Sequence, residues 1–260
     1  MKNNILIHIP HSSFNIPDKY KNLFYLTKEK LFKEQIKMSD SYTNELFGMS
    51  GFAKLIFPLS RLVCDVERFR REEDEEMTKQ GMWVCYTKTS DQKPLKQVDF
   101  VHKQEILNKY YDKHHKLFTQ KTDEIVENFG ECLIIDAHSF SSEPLPYELH
   151  SQSTRPDICI GTDVYHTPKA LADYFCSEFS RLGYNVAVNN PFCGTIVPLK
   201  HYGISKNVKS VMLEINRNLY MNEETGEKND NFLKIKNDIQ KVIKLCSAES
   251  FKIDKNCKNL

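Results

Sequence analysis

At 260 residues, with 36 Lys+Arg against 35 Asp+Glu, the chain has a formal charge of +1, which excludes a global field that draws nucleic acid or anionic lipid. The partner is expected to be a small molecule, and the length suits one large α/β domain or two small ones. Eight cysteines without a CxxC pair exclude a zinc-thiolate knuckle and a disulfide framework, and read as free thiols of a reducing compartment.

The opening residues, MKNNILIHIPHSS, are too soon interrupted for a signal-peptide core, and no later run approaches the ~20 apolar residues of a membrane span. A soluble, cytoplasmic protein with no membrane partner is expected. Residues 5–9 are rich in β-branched side chains and read as a strand ending in Pro10-His11-Ser12-Ser13. His11, beyond the strand end, is a site candidate; His8, inside it, reads as structural. Thr27 opens a helical pattern over residues 28–46, interrupted by Ser39-Asp40-Ser41-Tyr42-Thr43, a stretch of low helix propensity. Asp40 reads either as the N-cap of a second helical segment over 41–47 or as a carboxylate with a metal partner.

Residues 52–58 and 59–66 read as two strands around a proline turn, the second running into Asp65-Val66-Glu67-Arg68. Alternation puts Asp65 and Glu67 on one face, and such a cluster is costly to bury unless paired or used on a ligand. The acidic run 72–76 reads as solvated, and 81–88 as a short strand carrying Trp83. Residues 94–128 follow a helical period closed by Gly130, with His114 and His115 as surface or packing histidines.

Residues 133–142, LIIDAHSFSS, combine an apolar run typical of a strand buried on both faces with a polar end. Ligands of open α/β sheets bind beyond the carboxyl ends of strands, which makes His138 a candidate. Asp136, two residues earlier on the same side, is expected to orient its imidazole. A loop over 143–157, a strand over 158–162, a helix between Thr167-Pro168 and Leu182-Gly183, and a strand over 186–188 follow. The loop 189–195 permits close backbone approach to a ligand, and Tyr202-Gly203 belongs to the same irregular region. Glu214 lies in a strand over 210–215, where it needs a cation such as Arg217 or a catalytic duty. An amphipathic helix over 230–245 completes a single domain, 1–247, ahead of a polar tail, 248–260.

Strands alternating with helices and ending in polar clusters favour one three-layer αβα domain with its site along one sheet edge. Two imidazoles and a carboxylate suit Zn²⁺ with an open position, another carboxylate takes a proton from water, and an arginine stabilises an oxyanion. A serine mechanism is disfavoured, since there is no GxSxG.

PHSS at 10–13, SDSYTNELF at 39–47, SRLVCDVERF at 60–69, DAHSFSS at 136–142, NNPFCGT at 189–195 and LEINRNLYM at 213–221 together resemble the N-formylglutamate amidohydrolase family. The resemblance implies a zinc carboxypeptidase-like α/β fold with a mixed sheet between helices. It implies His11 and His138 as zinc ligands with Asp40 as the third, Asp65, Glu67 or Asp136 standing as alternatives. Glu214 becomes the general base and Arg68 the oxyanion or carboxylate partner. Arg217 and Arg61 are expected at the substrate or beside the acids, with Thr195 and Tyr202 lining the substrate site. Two departures stand out: the first loop lacks the HxxE pair of carboxypeptidases, and Glu67 precedes Arg68 where those enzymes often carry Asn. The expected reaction is hydrolysis of a small N-acyl amino acid such as N-formylglutamate. The alternatives are a zinc peptidase acting on a peptide or cell-wall fragment, and a non-catalytic anion-binding protein.

Overall fold

The apolar runs around residues 5–9, 133–140 and 208–216 lie side by side as the buried centre of one sheet. The computed structural model describes residues 3–148 and 154–247. Its strands are β1 (Ile5–Ile9), β2 (Ala53–Ile56), β3 (Cys132–Phe140), β4 (Ile158–Gly161), β5 (Val186–Val188) and β6 (Val208–Asn216). The sheet order is β2-β1-β3-β6-β4-β5. The first four of these strands run parallel; β4 is antiparallel to β6 and carries β5 parallel to itself. The expected mixed sheet is therefore present.

Seven α-helices are described: α1 (Asp18–Lys21), α2 (Lys28–Met38), α3 (Thr43–Leu46), α4 (Phe100–Ile106), α5 (Asp112–Phe129), α6 (Lys169–Arg181) and α7 (Phe232–Cys246). The period of two along each central strand assigns its faces. Ile7, Ile135 and Leu213 pack with α6 and α7 residues such as Phe175 and Ile239. Leu6, Ile134 and Val208 face the other way, onto Phe118 and Ile125 of α5. Helices thus cover both faces, as a mostly parallel sheet requires. A further apolar cluster, built from residues 57–66, 82–98 and the α4–α5 junction, caps the carboxyl edge.

Two expected strands are absent. Residues 59–66 and 81–88 form turns, held together by the Asp65 N–H donating to the Val84 carbonyl. Their apolar residues, Leu62, Val63 and Val84 among them, are buried in that capping cluster, so the burial pattern is real but no sheet edge receives it. The long helix also begins later than its pattern, at Phe100, and passes through a π-turn over Leu107–Tyr111 before α5. Among the seven described cysteines all are free; Cys193 is exposed and Cys176 half-buried, the others buried. No described helix is long and apolar enough to cross a membrane. The expected polar tail lies outside the described residues.

His115 on α5 donates from Nε2 to the Val66 carbonyl at 2.8 Å, and burial pushes its pKa down to about 4 from 6.5. Between those values the unfolded chain binds a proton that the folded chain refuses, so stability falls as pH drops from 6.5 toward 4. The contribution is about 3 kcal/mol over that window. His115→Gln keeps an N–H donor but cannot titrate. Urea unfolding at pH 7 and pH 4 is expected to show a smaller acid loss in the variant by about that amount. Equal losses in both proteins would refute the assignment.

Candidate active site

Toward the carboxyl ends of β1, β3 and β6, the apolar α5-facing positions give way to polar ones. Leu6 is followed by His8, Ile134 by Asp136 and His138, and Met212 by Glu214, each two residues on. In register, His8 lies opposite Asp136 and His138 opposite Glu214. Carboxylates and imidazoles are thereby stacked on one face, all of them buried.

The helical pattern over 28–46 breaks after α2, and the break delivers Asp40 to this cluster. Asp40 does not cap α3. Tyr42 occupies the N-cap position without a side-chain bond, and only the Asp40 backbone carbonyl takes the Thr43 N–H and hydroxyl. The turn holds Tyr42 at a left-handed φ of 67°, a strain of about 1–3 kcal/mol for a non-glycine. Its phenol donating to Gly226 O at 2.7 Å and its ring against Phe232 offset that strain. The Asp40 carboxylate is left to the histidines and Arg217.

His138 Nδ1 lies 2.9 Å from Asp40 Oδ2, and its Nε2 lies 3.2 Å from Glu67 Oε2 and 3.0 Å from Asp136 Oδ1. His11 Nε2 lies 2.9 Å from Asp65 Oδ1. The remaining His11 nitrogen, Nδ1, is buried without a hydrogen-bond partner, 3.7 Å from Glu67 Oε2 and 3.5 Å from Asp40 Oδ2. Each imidazole therefore uses one nitrogen on a carboxylate behind it; the other faces Glu67 together with Asp40 for His11 and with Asp136 for His138.

Among the described residues, two groups are compact enough to hold a metal ion, each with ligand atoms within 4.8 Å of one another: His11, Glu67, His138 and His8, Glu67, Asp136. Asp40 belongs to neither, and Glu67 to both. The carboxylate missing from the first loop thus comes from the loop after residue 65.

Asp65 is fully buried. Its Oδ2 accepts from Arg61 Nη2 at 2.8 Å and from the Tyr86 hydroxyl at 2.6 Å. Burial raises its pKa, but Arg61, His11 and Arg68 hold it well below the usual carboxylate range. Burial also opposes ionisation of Asp40 and Asp136, and the histidines beside them override it and lower both. Against burial, Glu67 and Asp136 raise His138 well above an ordinary imidazole. Burial and Arg61 press His11 down, yet Asp65 and Asp40 leave it raised. Glu214 behaves differently. Burial, with Asp40 and Glu67 adding to it and His138 and Arg217 opposing, pushes it up to about 8, and its Oε2 is buried without a partner.

Several expected substrate residues are engaged elsewhere. Arg217 is buried, with Nε on Ser139 Oγ, Nη1 on the Lys37 carbonyl at 2.6 Å and Nη2 on Ser139 O and Asp40 Oδ1. Arg61 gives Nε and Nη2 to Asp65 and Nη1 to Met38 O. The Thr195 hydroxyl bonds Ser210 Oγ at 2.7 Å. Tyr202 bonds Asp163 and lies against His166, which in turn bonds Val208 O at the amino end of β6, away from Glu214. Arg68 differs: Nε donates to Met82 O and Nη2 to the Tyr86 hydroxyl, and no described residue accepts from Nη1.

Sequence reading did not find three participants. His8 bonds Asp136 Oδ1 through Nδ1 at 3.0 Å and His114 through Nε2 at 2.9 Å. Tyr86 braces Asp65, and the Tyr147 phenol lies in the field of Arg61, Arg217 and Arg68. Only His8 carried a signal, as a polar residue on the inner face of a strand otherwise apolar.

Comparison with known proteins shows what the whole chain resembles. A curated N-formylglutamate deformylase of Pseudomonas putida is 24% identical over 234 residues, covering 84% of this chain and 82% of that protein. The crystal structure of N-formylglutamate amidohydrolase from Ralstonia eutropha JMP134 superposes with a TM-score of 0.82 at 20% identity, over 95% of this chain and 93% of that one. A gene product of Agrobacterium tumefaciens has the same fold with a TM-score of 0.63 at 18% identity, over 94% and 92% of the two chains. The family model described as N-formylglutamate amidohydrolase matches residues 3–221. The chain belongs to the N-formylglutamate amidohydrolase family, and is a hydrolase of carbon–nitrogen bonds other than peptide bonds.

Proposed function

We propose that the protein hydrolyses the formamide bond of N-formylglutamate, or of a close N-acyl amino acid, with Zn²⁺ held by His11, Glu67 and His138. The observation that carries this reading is the pair of imidazole nitrogens turned on Glu67, each ring backed by its own carboxylate. Two nitrogens and a carboxylate are the donor set of a catalytic zinc with an open position. The buried His11 Nδ1, otherwise without a partner, fits a cation. So does the charge. Five carboxylates (Asp40, Asp65, Glu67, Asp136, Glu214) gather here against three guanidiniums (Arg61, Arg68, Arg217), an acidic excess that suits a cation.

When bound, zinc supplies a Lewis acid that polarises the formyl oxygen and acidifies water. Glu214 takes the proton of the attacking water and passes it to the departing amine. The water oxygen bonds to the formyl carbon, the carbon–nitrogen bond breaks, and formate and the free amino acid leave. Arg68, with Nη1 open, meets the oxyanion or a substrate carboxylate. Asp40 and Asp65 fix the ring orientation of His138 and His11, while Arg217 and Arg61 hold those two carboxylates. Burial of His11, His138 and Glu214 favours a small substrate over a peptide.

Metal analysis joined to a substrate panel tests the reading. The protein is expected to retain zinc and to prefer formyl over acetyl or longer acyl groups on Glu against Asp and neutral amino acids. Full turnover after chelation would remove zinc from the scheme. Cleavage of peptides but of no N-formyl amino acid would replace the substrate.

A further inference from the structure

In the second compact group, His8, Glu67 and Asp136, only Glu67 has a duty in the reaction just described. We propose that the group binds a second divalent cation, bridged to the first by Glu67, so that the loaded enzyme is binuclear; this rests on the zinc reading above. The two Glu67 oxygens divide between the groups. Oε2 faces His11 and His138, while Oε1 points to His8 Nδ1 at 3.6 Å and is buried without a hydrogen-bond partner. A carboxylate presenting one oxygen to each of two ligand groups is placed to bridge ions about 3.5–4 Å apart, the spacing of two-metal hydrolytic sites.

The remaining ligands are held from behind. Asp136 Oδ2 takes the Ile196 N–H at 3.2 Å, which turns Oδ1 toward His8. His8 Nε2 meets His114 Nε2 at 2.9 Å, one ring donating to the other. With Nε2–H donated to His114, His8 offers its Nδ1 lone pair to a cation. A carboxylate or ring partner that fixes a ligand histidine in this way is the usual support of a metal site. Asp136 Oδ1 lies 3.0 Å from both His8 Nδ1 and His138 Nε2, between the two ligand groups.

The test is zinc stoichiometry. Protein stripped with a chelator and reloaded by dialysis against graded Zn²⁺ is expected to bind two equivalents per chain by elemental analysis. Asp136→Asn, nearly isosteric, and His8→Asn are each expected to bind one, with circular dichroism unchanged. His11→Asn is expected to lose the other. Loading with Mn²⁺ is expected to give an exchange-coupled electron paramagnetic resonance spectrum in wild type and that of isolated ions in Asp136→Asn. Saturation of wild type at one equivalent, lost with His11→Asn and kept with Asp136→Asn, overturns the second site and leaves the first. Two equivalents, neither lost on changing His8 or Asp136, also overturn it. No bound zinc at all refutes the catalytic reading instead.

Discussion

Glu67→Gln is expected to abolish tight zinc binding and with it turnover, whereas Asp40→Asn is expected to weaken zinc affinity by about 10–100-fold and leave a measurable enzyme. The contrast follows from where each carboxylate stands. Glu67 Oε2 is the atom on which His138 Nε2 and the unpartnered His11 Nδ1 converge, at 3.2 and 3.7 Å. Glutamine there removes an anionic ligand and places an amide beside two ligand nitrogens. Asp40 instead sits 2.9 Å from the opposite nitrogen of His138, in the position from which a carboxylate fixes the tautomer and orientation of a ligand ring. Asparagine can still accept the His138 Nδ1–H, so the ring keeps its place while losing basicity. Competition with a chromogenic chelator separates the two effects. Retention of tight zinc by Glu67→Gln together with its loss in Asp40→Asn would return Asp40 to the ligand set.

The choice between Asp40 and Glu67 as ligand marks where sequence stopped being informative. The ends of β1, β3 and β6 were legible because a core strand must be apolar on both faces, and a polar residue within it announces itself. His138 and Glu214 were placed in that way and His11 by its position just beyond a strand end, and the structure brings all three to one edge. Glu67 was one of several open carboxylates because residues 59–66 were read as a strand. Their apolar residues are buried in a cluster of loops, and no local period distinguishes that from a sheet. Asp40 read as a cap or as a metal ligand, because both duties use the same side chain. Arg217 was read toward substrate, yet its donors go to backbone carbonyls such as Lys37 O at the end of α2, a contact 180 residues apart that no spacing encodes. Thr195 and Tyr202 were placed at the site on the premise that all strand ends share one edge. Since β4 and β5 run antiparallel to β6, the chain leaves Val188 at the amino edge of β6, the edge opposite Glu214.

Glu214→Gln is expected to lower kcat by about 10²–10⁴-fold, the usual contribution of a general base, with zinc content unchanged. The retained metal is what gives the variant its meaning. Glu214 belongs to neither compact ligand group, so its loss removes proton transfer and spares the cation. Its environment fits that duty and no structural one: it is buried opposite His138 in the sheet, with an oxygen that no described residue bonds. Burial chiefly, and then Asp40 and Glu67, raise its pKa to about 8 in the metal-free chain. A carboxyl kept that basic is a poor ion-pair partner but an effective proton acceptor once a nearby cation favours its charged form. Because glutamine preserves shape and cannot take the proton, KM should move little while kcat falls. A variant that keeps kcat, or one that loses zinc in proportion to activity, would mean that Glu214 supports the site and that the base lies elsewhere.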